Sequence, residues 1–260
     1  MKALGTHTWL MATLVCGMAV STAGADLSRQ WFYDGNEAYR SGNYEAAAKA
    51  FRQAVALKPA SGSLQNLGNA EWQRRRVGEA ILAWEQALWV NPFNSSVRNN
   101  LRFARKIEQL PNPELTWYEV VSTWLPVNSW AWITGLSLWS AVSLVVLPGI
   151  LRWRKLAWHQ ALAACGFAVF LLSVPAHFGI NTRSRVGFVL GNDVSLRLTP
   201  TREAQTITRI EPGEPVRWLR HRGRFVLVRT NHATGWLDRD DFRLISDRAS
   251  AQTASKQHAS

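Results

Sequence analysis

The sequence predicts a multidomain membrane protein: an all-α helical-repeat module, a two-helix transmembrane hairpin and a small all-β barrel, in that order. Three observations carry this reading. Residues 26–110 resemble themselves at an offset of 33; two stretches of 23 residues without a charge follow; and 181–246 is cut by turn signals into short apolar runs. The 47% apolar content of the 260 residues is thus concentrated between two polar arms, each no larger than one small domain.

The first element, 1–25, reads as a secretory signal peptide: Lys2, an apolar run from Trp9 to Val20, then small residues at Ala23 and Ala25 before Asp26. Cys16 invites a lipoprotein reading, but Val15 precedes it where a small residue is required.

In 26–110 the offset aligns Trp31 with Leu64, Gly35 with Gly68, Ala47 with Ala80, Phe51 with Trp84, Ala54 with Ala87 and Pro59 with Pro92. Glycine at the closest approach, alanines at the crossing, an aromatic ring filling between two helices and a proline ending the second make one helix-turn-helix unit. Ser95 to Leu110 reads as a further first helix that caps the apolar edge of the second unit. With Tyr44 added in the first copy, this spacing resembles the tetratricopeptide repeat. The resemblance implies a concave protein-binding groove lined by Arg29, Phe32, Asn36, Tyr39, Gln65, Asn69, Trp72, Arg98 and Arg102, suited to an acidic or C-terminal peptide. A short spacer with an empty groove is the alternative.

Residues 111–128 open with the helix-breaking Pro111-Asn112-Pro113. Trp117, Val120, Val121, Trp124 and Leu125 then recur at helical spacing, the pattern of a short amphipathic helix along the outer membrane interface. Residues 129–151 and 156–178 are each long enough, about 34 Å as helix, to span a hydrocarbon core of ~30 Å. The loop 152–155, Arg152-Trp153-Arg154-Lys155, is strongly basic and is expected on the cytoplasmic side, which puts both arms outside in the periplasm and the hairpin in the bacterial inner membrane. Trp130, Trp132, Trp153 and Trp158 sit at the span ends as interfacial anchors.

From Val186 to Ile245, strand-length runs alternate with turns. Val194, Leu196, Arg197, Pro200, Gly213, Val216, Val226, Val228 and Gly235-Trp236-Leu237 together resemble a bacterial SH3-like domain, whose pattern makes Trp236 a core residue. That resemblance implies recognition of a wall peptide or protein without catalysis. A basic turn with Arg217, Arg220, His221, Arg222 and Arg224 is a candidate anion-binding site, or else a solvated hairpin tip. The tail 247–260 has almost no apolar bulk and is expected to be disordered.

The net charge of +12 is spread out: +4 in 26–110, −2 in 111–128, +3 in 152–155 and +5 in 181–248, with Lys2 and Lys256 supplying the rest. Such spreading argues against nucleic acid and for membrane lipid or anionic wall polymer. The soluble arms contain no cysteine, since Cys16 and Cys165 lie in apolar runs. His177, His221, His232 and His258 fall in no paired or HExxH spacing, and no Walker, GxSxG or GxGxxG motif occurs. The expectation is a protein that is not an enzyme and takes no metal or cofactor.

The order signal peptide, tetratricopeptide repeats, two-helix hairpin, SH3-like domain resembles the BatE proteins of bacterial aerotolerance clusters. That resemblance implies an accessory scaffold beside von Willebrand factor A-type membrane proteins and a MoxR-type ATPase. A membrane anchor gripping peptidoglycan through the SH3-like arm is the second reading, and a sensor signalling through the short loop a weaker third.

Overall fold

The computed structural model describes residues 24–150 and 157–246. The expected signal peptide up to residue 23, the basic loop 152–155 and the tail 247–260 lie outside the described residues.

Five helices form the first arm: α1 over 24–40, α2 Tyr44–Leu57, α3 Ser61–Gln73, α4 Val77–Val90 and α5 Ser95–Ile107. Asn43 and Asn94 begin α2 and α5 by accepting the Ala46 and Val97 amides at 3.0 and 3.2 Å. α1 with α2, and α3 with α4, make the same contact twice. A Cβ on Gly35 would lie 2.6 Å from the Phe51 ring, and one on Gly68 would lie 2.5 Å from Trp84. The turns repeat as well, with left-handed residues at Gly42 (φ 77°), Arg75 (φ 62°) and Gln109 (φ 53°). Glu71, 1% exposed, is held by Arg52 of α2 and by Arg74, which also reaches Glu45; these pairs fasten α2 to α3.

A strap follows, with the short helix α6 at Trp117–Ser122. Next come α7 Val127–Ile150 and α8 Ala157–Arg183, two helices long and apolar enough to cross a membrane. Large apolar side chains stand outward all along them, Trp132 and Trp139 on α7 and Leu172 on α8 each at least 70% exposed. Facing each other, they approach where Gly166 meets Ser137 and Ala141. Close to one end, Thr134 Oγ1 lies 2.6 Å from His177 Nε2 and 2.8 Å from Ser173 Oγ.

The second arm is one antiparallel sheet of seven strands: β1 Val186–Val189, β2 Val194–Arg197, β3 Thr206–Ile210, β4 Pro215–Arg222, β5 Phe225–Arg229, β6 Thr234–Asp238 and β7 Phe242–Leu244. The order is β3-β2-β6-β5-β4-β1-β7. Ile210 of β3 and Phe242 of β7, from opposite edges, pack in one core with Leu196, Val228 and Leu237, so the sheet curls round it.

The two arms are not separate beads. Val186 and Phe188 of β1 and Ile245 after β7 share a buried cluster with Leu64, Ile81, Trp84, Val97, Leu101 and Leu110 of the helical arm. Gly213, at φ 89°, lets the β3–β4 turn come down on Ile81 and Leu110. Helical arm, sheet, the start of α7 and the end of α8 therefore meet at one end of the hairpin.

Candidate functional site

Two places gather polar side chains in a built arrangement: the facing first helices of the helical arm, and the junction where the arms meet the hairpin.

On the first helices, amides bridge from one helix to the next. Asn66 Nδ2 donates to Asn36 Oδ1 at 2.9 Å between α1 and α3, and Asn100 Nδ2 donates to Asn69 Oδ1 at 2.9 Å between α3 and α5. Asn69 also accepts the Trp84 indole at 3.1 Å, while Asn94 Nδ2 donates to Gln65 Oε1 at 2.9 Å. Of the nine residues expected to line a groove, Asn36, Gln65 and Asn69 thus spend hydrogen bonds on packing. Phe32 lies on Phe51, Tyr39 on Tyr44, and Trp72 between Trp84 and Phe103. Arg29 and Arg102 are exposed, held by Asp26 and by Asn99 within their own helices. Arg98 donates to the Pro92 carbonyl at 2.7 Å and lines the junction.

The arginines of the β4–β5 hairpin also divide. Arg220 stacks 5.4 Å over Trp236, itself 7% exposed; Arg222 is exposed beside the tip at Gly223; Arg224 pairs with Asp238 at 2.7 Å. Arg217 turns the other way, into the junction. Strand alternation, with a register shift between Trp218 and Arg220, parts residues that look contiguous in sequence.

The junction is built around Glu119 of α6, fully buried. Its carboxylate accepts from the Thr116 amide and hydroxyl at 2.9 and 3.0 Å, as a capping-box glutamate does, and from Arg217 at 2.7 and 3.1 Å. Burial alone would raise its pKa; the Arg217 and Thr116 hydrogen bonds outweigh that and hold it below the usual carboxylate range. Arg217 also donates to the Glu114 carbonyl at 3.0 Å, so one guanidinium clamps the strap to β4. α6 crosses α8 at Gly179, where any Cβ would strike the Tyr118 carbonyl, and the Tyr118 ring packs on Phe178. The helix therefore turns Glu119 and Ser122 inward and Trp117 and Val120 outward, with Trp124 just past its end also exposed, the inverse of a soluble surface helix.

Arg183 ends α8 inside this junction, 8% exposed, its guanidinium 4.4 Å from the Trp89 ring centroid and 3.2 Å from Ser122 Oγ. Beside it is a cavity of about 240 Å³. A second cavity, about 270 Å³, lies on the sheet between Asp193, Arg197, Arg202, Asp238 and Asp241. Burial first, then Asp238 and Asp240, raise the Asp241 pKa, and burial raises that of Glu214. Among the described residues no three His, Cys, Asp or Glu side chains gather as metal ligands would.

The sequence gives little notice of Glu119, Arg183, Asn66 or Asn100 as joining residues. The Thr116-x-x-Glu119 spacing was the available sign, since it sets one acid inside an apolar run. Compared with known proteins, the chain matches no family model and no curated protein.

Proposed function

We propose that this chain is a non-catalytic inner-membrane scaffold. In this reading the hairpin spans the membrane with the 152–155 loop inside, and the helical arm, a tetratricopeptide-type repeat, docks protein partners in the periplasm. The observation that carries the reading is the joining of two folded arms, through one core, at one end of an apolar hairpin. Such a body holds a docking surface at fixed height and angle above the bilayer. The doubled glycine-ring contact, the amide bridges and the recurring left-handed turns support the repeat assignment. The domain order supports a role like that of the BatE proteins, beside von Willebrand factor A-type and MoxR-system partners.

The second reading, a peptidoglycan-binding anchor acting through an SH3-like second arm, is favoured by the exposed Arg220-His221-Arg222 tip and the +5 charge of 181–248. Full-length protein with Arg29→Glu and Arg102→Glu, both exposed and outside the junction, separates the two. Crosslinking and affinity capture from membranes should lose its main protein partner in this variant. Unchanged capture, with sacculus co-sedimentation abolished by Arg220→Glu and Arg222→Glu, would give the anchor reading the lead.

A further inference from the structure

The junction brings four arginines together and supplies carboxylates for two of them. Arg105 pairs with Glu85, and Arg217 with Glu119. Among the described residues Arg98 and Arg183 have no salt bridge, and both line the 240 Å³ cavity. Arg98 has a backbone carbonyl for its partner. Arg183 has the Ser122 hydroxyl and the face of Trp89, although a guanidinium carries five donors; the carboxylates whose charge reaches it, Glu85 and Glu119, are bonded to Arg105 and Arg217. A buried cation so thinly partnered is costly unless an anion completes its shell.

Depth says which anion is at hand. α8 has 27 residues, about 40 Å at 1.5 Å per residue, against a hydrocarbon core of ~30 Å. Its last turn, carrying Arg183, therefore stands in the headgroup layer on the side of the two arms. The outward Trp117 and Trp124 of the adjoining strap suit the same layer. The rest of the cavity is not shaped for a bare ion, because Leu88, Leu115 and Phe188 wall it beside Thr123 and the two arginines, and the one carboxylate in its lining, Glu85, is paired with Arg105. Its volume is about eight times the ~30 Å³ share of a liquid water, room for more than an inorganic phosphate.

We propose that this cavity binds the phosphate of a membrane phospholipid, forked between Arg183 and Arg98, with the glycerol and the first acyl carbons against the apolar wall. The bound lipid ties the arms to the bilayer at the point where they are tied to each other. The inference rests on the membrane-spanning part of the proposed function and not on partner docking.

The test uses full-length protein in detergent, with dioleoyl phosphatidylglycerol, the phosphate-free dioleoylglycerol and inorganic phosphate as separate probes. Native mass spectrometry should show the phospholipid retained at least tenfold over dioleoylglycerol, and Arg98→Gln, a change at an exposed residue, should cut retention about tenfold. Arg183→Gln should abolish retention where it folds. Equal retention of the two lipids, or retention unchanged in Arg98→Gln, overturns the site. A thermal shift from inorganic phosphate as large as that from phosphatidylglycerol overturns the lipid in favour of a soluble anion. A chain that stays monodisperse in water without detergent overturns the membrane reading as well, whereas partner capture unchanged by Arg29→Glu and Arg102→Glu, with lipid retention intact, overturns only the scaffold.

Discussion

A single carboxylate does much of the joining in this protein. Glu119 is fully buried, yet its pKa lies below the ordinary carboxylate range, because Arg217 and the Thr116 donors favour the ionised form more than burial disfavours it. A depressed carboxylate stabilises the fold above its unfolded pKa of about 4.3 and loses that contribution as pH falls through the folded value. Glu119→Gln should therefore cost about 3 kcal/mol at neutral pH, by leaving Arg217 without its counter-charge. The gap in Tm between wild type and variant, measured in detergent, should narrow as pH drops below about 4. A gap that holds constant to pH 3 would show that the hydrogen-bond geometry matters and the charge does not. Glu214 and Asp241, both raised by burial, act in the opposite sense, so the variant pair and not the wild-type curve alone isolates Glu119.

At the scale of elements, the helical arm was legible in the sequence wherever chemistry recurs at the offset of 33. Gly35 and Gly68 meet Phe51 and Trp84 in the same way, and small residues sit where the helices cross. Gly68→Ala should destabilise by about 1–3 kcal/mol, since Trp84 is 2% exposed and has nowhere to withdraw. Chemical denaturation followed by helical circular dichroism would read it. Arg75 holds a left-handed conformation that glycine holds at the matching position 42. Arg75→Gly should gain up to about 1 kcal/mol in the same experiment, and a loss would mean the side chain contributes more than its strain costs. The amide bridges were not legible. Asn66 and Asn100 are off the repeat's signature positions, and nothing local marks an asparagine whose partner lies on the next helix. The strap was half legible: its apolar spacing marks an outward face, but the helix stops at Ser122, short of Trp124 and Leu125, and the fixing of its other side to α8 and β4 through Gly179 and Arg217 gave no sign.

At the scale of the molecule, the long apolar helices and the punctuated strands could be read directly, because composition and period decide them. How the arms sit against each other could not, since a buried valine or isoleucine gives no sign of whether its neighbours come from its own domain. Ile81, fully buried, packs with Phe188 and Ile245 as well as with its own arm. Ile81→Ala should lower stability by about 2–5 kcal/mol and shift helical circular dichroism and Trp236 fluorescence together. Two separated transitions, with only the helical one moved, would show that the arms unfold independently.

The shared core also changes what kind of object the chain is. It leaves the helical arm, runs through α7 and α8, and returns to the body it left, so backbone and packing together form a closed circuit. A break in the covalent path between residues 150 and 157 would leave both halves in place, each holding one apolar helix and one side of the same interface. The hairpin is thus less a tether between two domains than a handle on one.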